Sequence, residues 1–419
     1  MISVLPLSGP VYAYLELTPL CDNACPGCSN VFAGQGVERS TLPPPLNAAG
    51  WRRVVERLRP YVHSLRLTGG EPTLHPQFAD IVRWLDDLPL PFSVFTNGRW
   101  AEPERMIDLF SSTDHLRSLL ISLHGADEAQ HAAFCGIDGA FEETMDNVRR
   151  AVEAGLPVNT STVITIHNVT SVAAIARLSH ALGAGAAVFN RLIGETRGAP
   201  TPQQLRVAVR EVERMRAAGA NVELGPCVPP CFVPNSSEGC LAGLAFWTVD
   251  PWGNVRPCNH TPLKCGNLLE QSVTEIVEGA AMSRWHDMIP EVCLDCAAYA
   301  RCHGGCRAQA LLLARDQDDL MRIPLEEGPA SPRTMNLPGA RRPVARFESR
   351  DESFGRLLIR GGAILPVSDQ ANELLDRLDG SLTLAEIEAH FGSGALALVG
   401  LLVHKGLVEL KGPDTRVKP

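Results

Sequence analysis

The stretch "YAYLELTPLCDNACPGCSN" at residues 12–30 joins a short apolar segment to a loop that contains three cysteines. Its first six residues are rich in aromatic and aliphatic side chains, as in a buried β-strand. Cys21, Cys25 and Cys28 then stand at positions i, i+4 and i+7, a spacing that lets three thiolates wrap one iron–sulfur centre. Three thiolates leave one iron of a four-iron cluster open to bind a reacting group. A structural zinc site is the weaker interpretation because it needs a fourth ligand, and the next histidine is His63.

The alternation of a strand with a helix repeats through the first half of the chain. This pattern predicts parallel strands joined by crossover helices, hence an α/β fold with a partial (β/α)6 barrel of the TIM type. In such sheets the chemistry lies at the carboxyl ends of the strands. The predicted strands are 12–17, 64–68, 92–96, 118–123, 158–165 and 186–190, and the predicted helices are 47–59, 76–88, 103–111, 140–154, 170–182 and 202–218.

Three further motifs follow predicted strands and should face the same mouth as the cysteine loop. They are "GGEP" at 69–72, "TNG" at 96–98 and "SLHG" at 122–125. The two glycines of the first motif would allow backbone groups to approach a ligand closely. Glu71 would accept hydrogen bonds from an ammonium group.

Together these motifs resemble the radical S-adenosylmethionine (SAM) superfamily over residues 10–220. The resemblance implies that the open iron chelates the amino and carboxylate groups of SAM, which the reduced cluster cleaves to a 5′-deoxyadenosyl radical. One position departs from the family, because Gly27 stands where an aromatic residue usually precedes the last cysteine, and looser packing near the adenine is expected. The SAM-binding residues implied are Gly69, Gly70, Glu71, Asn97 and Ser122, with Arg191 as a candidate partner of the SAM carboxylate or a plain surface arginine.

A second group of cysteines has a more specific spacing. Cys240 and Cys258 bracket Gly253, and "CLDCAAYARCHGGC" follows at 293–306. This pattern resembles the SPASM extension of radical SAM enzymes, whereas a zinc ribbon would account for four of these six cysteines only. The resemblance implies one auxiliary cluster on Cys240, Cys258, Cys306 and Cys231 (or Cys227), and a second on Cys293, Cys296 and Cys302.

The fourth ligand of the second auxiliary cluster is not evident. The family usually supplies a further cysteine downstream, and this chain has none after Cys306. Cys265, Asp295, Asp316, water or the substrate are the alternatives. Cys265 is otherwise a buried thiol, and Cys135 is expected to be structural.

The composition changes after the second cysteine group. We expect a radical SAM core at 1–220, a SPASM domain at 221–315, a linker rich in Pro, Gly and charge at 316–343, and a small domain at 344–419. The last of these has a predicted hairpin turning at Gly361, three short helices and a final strand, and is winged-helix-like.

This small domain is not expected to bind DNA, because it carries more acidic than basic residues. It resembles the pyrroloquinoline quinone peptide chaperone (PqqD-like) and related precursor-recognition elements over residues 345–411. The stretch "VSDQANELLDRLDGSLTLAEI" carries that resemblance. Such domains bind a leader peptide by adding it as a strand to a sheet edge.

Composition narrows the remaining functional classes. The chain of 419 residues has 45% hydrophobic residues, 20% charged residues and a net charge of −9, which argues against disorder and against a nucleic-acid-binding surface. No apolar run reaches the roughly 18 residues of a membrane span, and no signal sequence is evident. Thirteen cysteines, mostly clustered, favour metal ligation in a reducing compartment. We therefore expect a cytoplasmic protein.

The resemblances together imply a maturase of ribosomally synthesised peptides. It would use SAM and three 4Fe–4S clusters, receive electrons from a flavodoxin or ferredoxin, and cross-link a precursor peptide by a C–C, thioether or ether bond. A peptide epimerase, an anaerobic sulfatase maturase and a haem-pathway enzyme are the alternatives, although Asn259 stands where sulfatase maturases have an aspartate. A peptide chaperone with a purely structural cluster is the non-enzymatic alternative.

Overall fold

The protein divides into two compact units. One covers Gly9–Ala330, and the other covers Ser331–Pro419 together with the segment that ends at Ser8. The computed structural model describes residues 7–32, 42–194, 197–233, 239–322 and 338–412.

The first unit is built on a sheet in which strands and helices alternate, so the predicted α/β fold is confirmed. Seven strands pair in parallel and in chain order. The strands are β1 (Tyr12–Glu16), β2 (Ser64–Thr68), β3 (Phe92–Thr96), β4 (Leu116–Ser122), β5 (Val158–Ile164), β6 (Ala187–Arg191) and β7 (Val222–Leu224). The helices are α1 (Ala48–Leu58), α2 (Phe78–Asp86), α3 (Pro103–Ser111), α4 (Glu128–Cys135), α5 (Ala140–Glu153), α6 (Val172–Ala181) and α7 (Pro202–Ala217).

All six predicted strands and all six predicted helices of this region are present. Helix α4 and strand β7 were not predicted, because α4 has only eight residues with a weak apolar stripe and β7 has three. Well-formed caps explain some of the boundaries. Thr201 accepts a hydrogen bond from the backbone of Gln204, whose side chain accepts one from the Thr201 backbone, so α7 begins with a capping box.

Alternate residues of the strands face opposite sides of the sheet. Aliphatic residues such as Leu15, Leu67 and Leu119 are buried against the helices, with Trp51 of α1 at the centre of that core. Polar residues of the intervening positions, for example Arg66, therefore lie on the inner side. The sequence motifs directly follow the strands, so they meet at the carboxyl edge of the sheet.

The second cysteine-rich region extends the same sheet. Strand β8 (Phe246–Val249) pairs in parallel with β1, while β9 (Asn254–Arg256) and β10 (Gly266–Asn267) continue the sheet antiparallel. The start of the predicted linker also belongs here, because Asp318 and Leu320 are buried. Four short helices complete the unit: α8 (Val273–Val277), α9 (Ala280–His286), α10 (Tyr299–Cys302) and α11 (Arg307–Leu312). The rest of the predicted linker at 323–337 lies outside the described residues.

The second unit contains the predicted hairpin, three helices and last strand. Two additional strands were not predicted, one pairing with the last strand and one flanking the hairpin. Its strands are β11 (Arg342–Ala345), β12 (Glu348–Glu352), β13 (Gly355–Arg360), β14 (Ala363–Ser368) and β15 (Val408–Lys411). Its helices are α12 (Asn372–Asp376), α13 (Leu384–Phe391) and α14 (Ser393–His404). Among the described residues of the whole chain, no helix has the length and apolar character needed to cross a membrane.

Candidate metal centre and cofactor site

The cysteine loop directly follows β1, at the carboxyl edge of the sheet. Cys21 and Cys25 are half-buried and Cys28 is exposed. The backbone N–H of Asn23 donates to Cys21 Sγ at 3.4 Å, and that of Asn30 donates to Cys28 Sγ at 3.4 Å. Hydrogen bonds to sulfur stabilise a thiolate, which is the form that binds iron.

The three thiols of this loop interact with one another. Burial raises the pKa of Cys21 to about 12, and burial together with the charges of Cys28 and Cys21 raises the pKa of Cys25 well above its usual value. Three thiolates at such a spacing are stable only around a cationic centre. Within the described ranges, no three His, Cys, Asp or Glu side chains are spaced to bind a single metal ion. Closely spaced cysteine thiolates are the donor set of iron–sulfur clusters, in which each thiolate binds a separate iron.

The glycine motif after β2 packs against the backbone of this loop. Gly70 N–H donates to the Thr18 carbonyl at 2.7 Å, and Glu71 N–H donates to the Leu20 carbonyl at 2.7 Å. A Cβ atom on Gly70 would lie 2.0 Å from the Leu20 carbonyl oxygen. The close approach that the glycines permit is therefore to the chain's own cysteine loop, which they hold in place.

Glu71 lies among hydrogen-bond donors of the protein itself. The side chain is fully buried. Its Oε1 accepts hydrogen bonds from the hydroxyls of Thr73 at 2.7 Å and Thr96 at 2.8 Å, and its Oε2 accepts one from the Asn97 N–H at 2.7 Å. Glu71 thus joins the ends of β2 and β3 through protein donors. Its contact with the SAM amine stays a prediction.

Residues directly after β3 bind the cysteine loop by hydrogen bonds. Asn97 Nδ2 donates to Asp22 at 2.6 Å, and Arg99 donates to the Asp22 carbonyl at 3.1 Å and to Asn23 Oδ1 at 2.8 Å. Glu143 of α5 in turn accepts from Arg99 at 2.8 Å. The sequence did not predict this role of Arg99, because a single arginine after a strand does not indicate which loop it contacts.

Ser122 and His124 lie at the end of β4 with different environments. The Ser122 side chain is half-buried, and its hydroxyl makes no hydrogen bond within the described part of the chain. His124 Nδ1 accepts from the Val163 N–H at 3.2 Å, which places the proton of the neutral ring on Nε2. Burial lowers the pKa of His124 to about 3. Ser122 is thus available to a ligand, whereas His124 is a neutral structural group.

Arg191 faces away from the mouth. It shares the helix-facing side of β6 with Phe189 and is 5% exposed. Its Nη1 donates to both carboxylate oxygens of Asp318 at 2.9 and 3.0 Å and to the Cys227 carbonyl at 3.2 Å, and its Nη2 donates to Asp319 at 3.1 Å. The predicted pairing with the SAM carboxylate is therefore corrected, because the guanidinium is held in an internal ion pair.

The space beside Gly27 is occupied. A Cβ atom at this position would lie 2.1 Å from Leu192 Cδ1 and 3.6 Å from the Phe134 ring. Leu192 therefore fills the volume that a larger residue 27 would need. The predicted looser packing is corrected on this side of the loop.

Four of the remaining cysteines gather in one buried group. Cys240, Cys258 and Cys306 belong to a single cluster of buried side chains, and Cys227 packs against it. The Cys227 and Cys306 thiols also share a hydrogen bond. Of the two predicted alternatives, the structure thus brings Cys227 to this group and not Cys231.

Cys231 lies with the other three cysteines. Its thiol interacts with those of Cys302 and Cys293, and both of these interact with Cys296. Cys265 is elsewhere, in the apolar core beside the sheet. The suggestion that Cys265 completes the second auxiliary group is therefore corrected.

Two contacts tie the cysteine-rich region to the core sheet near β1. Arg256 is fully buried, pairs with Glu16 and donates to the carbonyls of Asn259 and Thr261 at 2.9 Å each. The Asn259 side chain accepts from Thr248 at 3.0 Å. Asn259 therefore has a structural position, and no carboxylate stands where a sulfatase maturase would have its base.

Comparisons with known families assign two regions of the chain. Residues 15–178 match the Radical SAM superfamily model. Residues 240–302 match the SPASM iron–sulfur cluster-binding domain model. These regions contain the cysteine loop and five cysteines of the second group, so the family resemblance drawn from the motifs is confirmed.

Curated relatives agree with this assignment over most of the chain. The chain is 28% identical over 325 residues to a PqqA peptide cyclase of Ruegeria pomeroyi, covering 73% of this chain and 85% of the relative. It is 29% identical over 338 residues to a PqqA peptide cyclase of Xanthomonas campestris pv. campestris, covering 77% and 88%.

Solved structures share the fold. SuiB of Streptococcus suis, bound to the precursor peptide SuiA, aligns with a TM-score of 0.64 at 15% identity and covers 76% of this chain and 77% of that chain. The structure of anSMEcpe with AdoMet and the Cp18Cys peptide aligns with a TM-score of 0.56 at 17% identity, covering 74% and 91%.

Proposed function

We propose that this chain is a maturase that cross-links a ribosomally synthesised precursor peptide, because residues 15–178 match the Radical SAM superfamily model and residues 240–302 match the SPASM model. The observation that carries the proposal is its similarity to PqqA peptide cyclases over about three quarters of the chain. The intact cysteine loop at the carboxyl edge of the sheet supplies the corresponding chemistry.

The chain's own residues would bind and position the cofactors. Cys21, Cys25 and Cys28 hold a 4Fe–4S cluster, and Ser122 donates a hydrogen bond to SAM. When bound, the cluster and SAM supply a 5′-deoxyadenosyl radical that removes a hydrogen atom from the substrate. Gly70 and Arg99 keep the loop against the ends of β2 and β3, so that the cluster is presented at the mouth of the sheet.

Two auxiliary clusters would complete the cofactors, giving three in all. The two buried cysteine groups of the SPASM region lie in the same compact unit as the cysteine loop. Forming a bond between two substrate atoms releases a second electron after hydrogen abstraction. An auxiliary cluster would accept it, and a flavodoxin or ferredoxin in the cytosol would supply the electron that starts the next cycle.

The second unit would bind the leader of the precursor. Its three-stranded sheet has β12 and β14 at its edges. Strand β12 has the sequence ESRDE, whose charges oppose strand addition, whereas β14 has the largely apolar sequence AILPVS. We therefore place the leader along β14.

A pair of proline substitutions tests this placement. In the two-residue hairpin Ile364 stands at a non-hydrogen-bonded position, so its N–H points away from β13 and towards an added strand. Ile364→Pro in the full chain should weaken leader binding, measured by titration calorimetry, about tenfold or more. Ser349→Pro removes the equivalent outward N–H of β12 and should not. Equal losses in both variants, or a loss only at Ser349, would refute the placement.

The proposed reaction is tested with the anaerobically reconstituted chain. With SAM, a reductant and a synthetic precursor peptide, whose sequence is to be sought in short reading frames next to its gene, it should form 5′-deoxyadenosine and a peptide lighter by two hydrogen atoms. Cys28→Ala should abolish both products, while Cys265→Ala should retain them. A peptide of unchanged mass with a D-residue would establish an epimerase instead, and absence of 5′-deoxyadenosine would support the chaperone alternative.

A further inference from the structure

The second auxiliary group lacks the downstream cysteine of its family, and the structure offers an upstream one. We propose that Cys231 is its fourth ligand, together with Cys293, Cys296 and Cys302. The inference rests on the proposed iron–sulfur function of the SPASM region. It changes the expected chemistry of this cluster, because four thiolates leave no iron open to the substrate.

The first auxiliary group has no room for Cys231. Cys227, Cys240, Cys258 and Cys306 supply four thiols to one buried cluster of side chains, which is the full ligand set of a four-iron centre. The Cys227 backbone is also fixed, since its carbonyl accepts a hydrogen bond from Arg191.

A turn over residues 229–233 contains Cys231 and gives it different surroundings from Cys227. The N–H groups of Phe232 and Val233 both donate to the Pro229 carbonyl, at 2.9 and 3.3 Å. Phe232 and Val233 are fully buried in the apolar core beside β5 to β7. Cys231, which lies directly before them, is only half-buried and stays outside that core. Its thiol is therefore free to face the other cysteines.

Gly239, which directly precedes Cys240, lies beside Cys302. A Cβ atom on Gly239 would be 2.5 Å from the Cys302 carbonyl oxygen. The charges of Cys302 and Cys293 also act on the Cys231 thiol. Cys231 and Gly239 are therefore both placed next to the second auxiliary group.

Two other side chains, the predicted alternative Cys265 and the nearby Asp318, have other partners. Cys265 is buried in the core with Leu268 and Ile276. Asp318 is near the second group, but its carboxylate accepts hydrogen bonds from Arg191 and from the Cys306 N–H. Cys231 is consequently the ligand that the geometry favours.

The experiment measures iron, sulfide and electron paramagnetic resonance of the full chain purified anaerobically with its clusters. Cys231→Ala should lose up to about one third of the iron, or convert the second cluster to a three-iron form. It should still form 5′-deoxyadenosine from SAM without peptide. Cys265→Ala and Asp295→Ala are the matched controls and should keep the wild-type iron content and spectrum.

A second substitution distinguishes loss of the ligand from loss of folding. Cys231→Ser keeps an oxygen donor and should retain the cluster with an altered spectrum of its reduced state. Wild-type spectra and iron in both Cys231 variants would overturn the inference and leave the proposed function intact. A change in the controls alone would also overturn it. A wild-type chain with the iron of only one cluster would instead refute the auxiliary clusters of the proposed function.

Discussion

The ion pair between Arg191 and Asp318 joins the core sheet to the end of the cysteine-rich region, and its loss should be costly. Asp318→Asn preserves the shape of the side chain but removes its charge and one acceptor. The guanidinium and carboxylate side chains are 3% and 0% exposed. A buried cation without its partner costs about 3–5 kcal/mol.

Asp319 reduces the loss of stability expected for the Asp318→Asn variant. It stays within 3.1 Å of Arg191 Nη2, although its side chain is 32% exposed. We therefore expect the lower end of the range, about 3 kcal/mol. Asp318 also accepts from the Cys306 N–H at 3.0 Å, so the variant should loosen the first auxiliary group as well.

The assay is urea unfolding of the cluster-loaded chain, followed by loss of iron–sulfur absorbance. With a denaturant slope of about 3 kcal/mol per molar, Asp318→Asn should lower the midpoint by about 1 M. Asp319→Asn is the matched control, since a partly exposed pair contributes about 1 kcal/mol or less. Replacing Arg191 by Met in the Asp318→Asn background should recover part of the loss, because no buried charge is left. Equal midpoints for the two single variants would refute the reasoning.

Three further predictions concern the cysteine loop and its surroundings. Gly70→Ala should displace the cysteine loop, because the new Cβ would lie 2.0 Å from the Leu20 carbonyl oxygen. The variant should lose about 1–3 kcal/mol of stability and contain less iron. Gly362→Ala is the control and should keep both, because no atom lies within 4 Å of its Cβ. Arg99→Met should speed removal of iron from the loop by a chelator about tenfold, since it loses about 1.4 kcal/mol of hydrogen bonding to the loop. An unchanged rate would show that Arg99 does not stabilise the loop. Burial lowers the pKa of His124 to about 3 from 6.5, so the unfolded state binds more protons between these values and stability should fall as pH drops below about 6.5, by up to about 1.4 kcal/mol per unit. His124→Asn should reduce the dependence of the free energy of unfolding on pH, measured by urea unfolding at several pH values. An unchanged pH dependence in this variant would contradict the prediction.

Local patterns predicted the core of the fold well. Periodicity alone placed all six βα units, because each helix presents an apolar face that the sheet must cover. The short strands β7 and β8 escaped prediction, since they are defined by pairing with β6 and β1. Pairing across long sequence separations leaves no local signal.

Within the site, the sequence alone indicated which cysteines are candidates for binding iron. The spacing of Cys21, Cys25 and Cys28 and the order of the strand-end motifs follow from local chain geometry, so the cluster loop and its position at the carboxyl edge could be predicted. The spacing of Cys293, Cys296 and Cys302 likewise identified a second metal-binding region.

Only the tertiary structure decided how these residues are partnered. Glu71 binds the ends of β2 and β3 through protein donors, and Arg191, a predicted SAM ligand, pairs with Asp318 instead. Cys227 and Cys231, four residues apart, have different neighbours, since Cys227 packs against the buried group of Cys240, Cys258 and Cys306 and Cys231 lies outside it. Such partners meet through packing between distant segments, and burial then fixes which charges and thiols can satisfy one another.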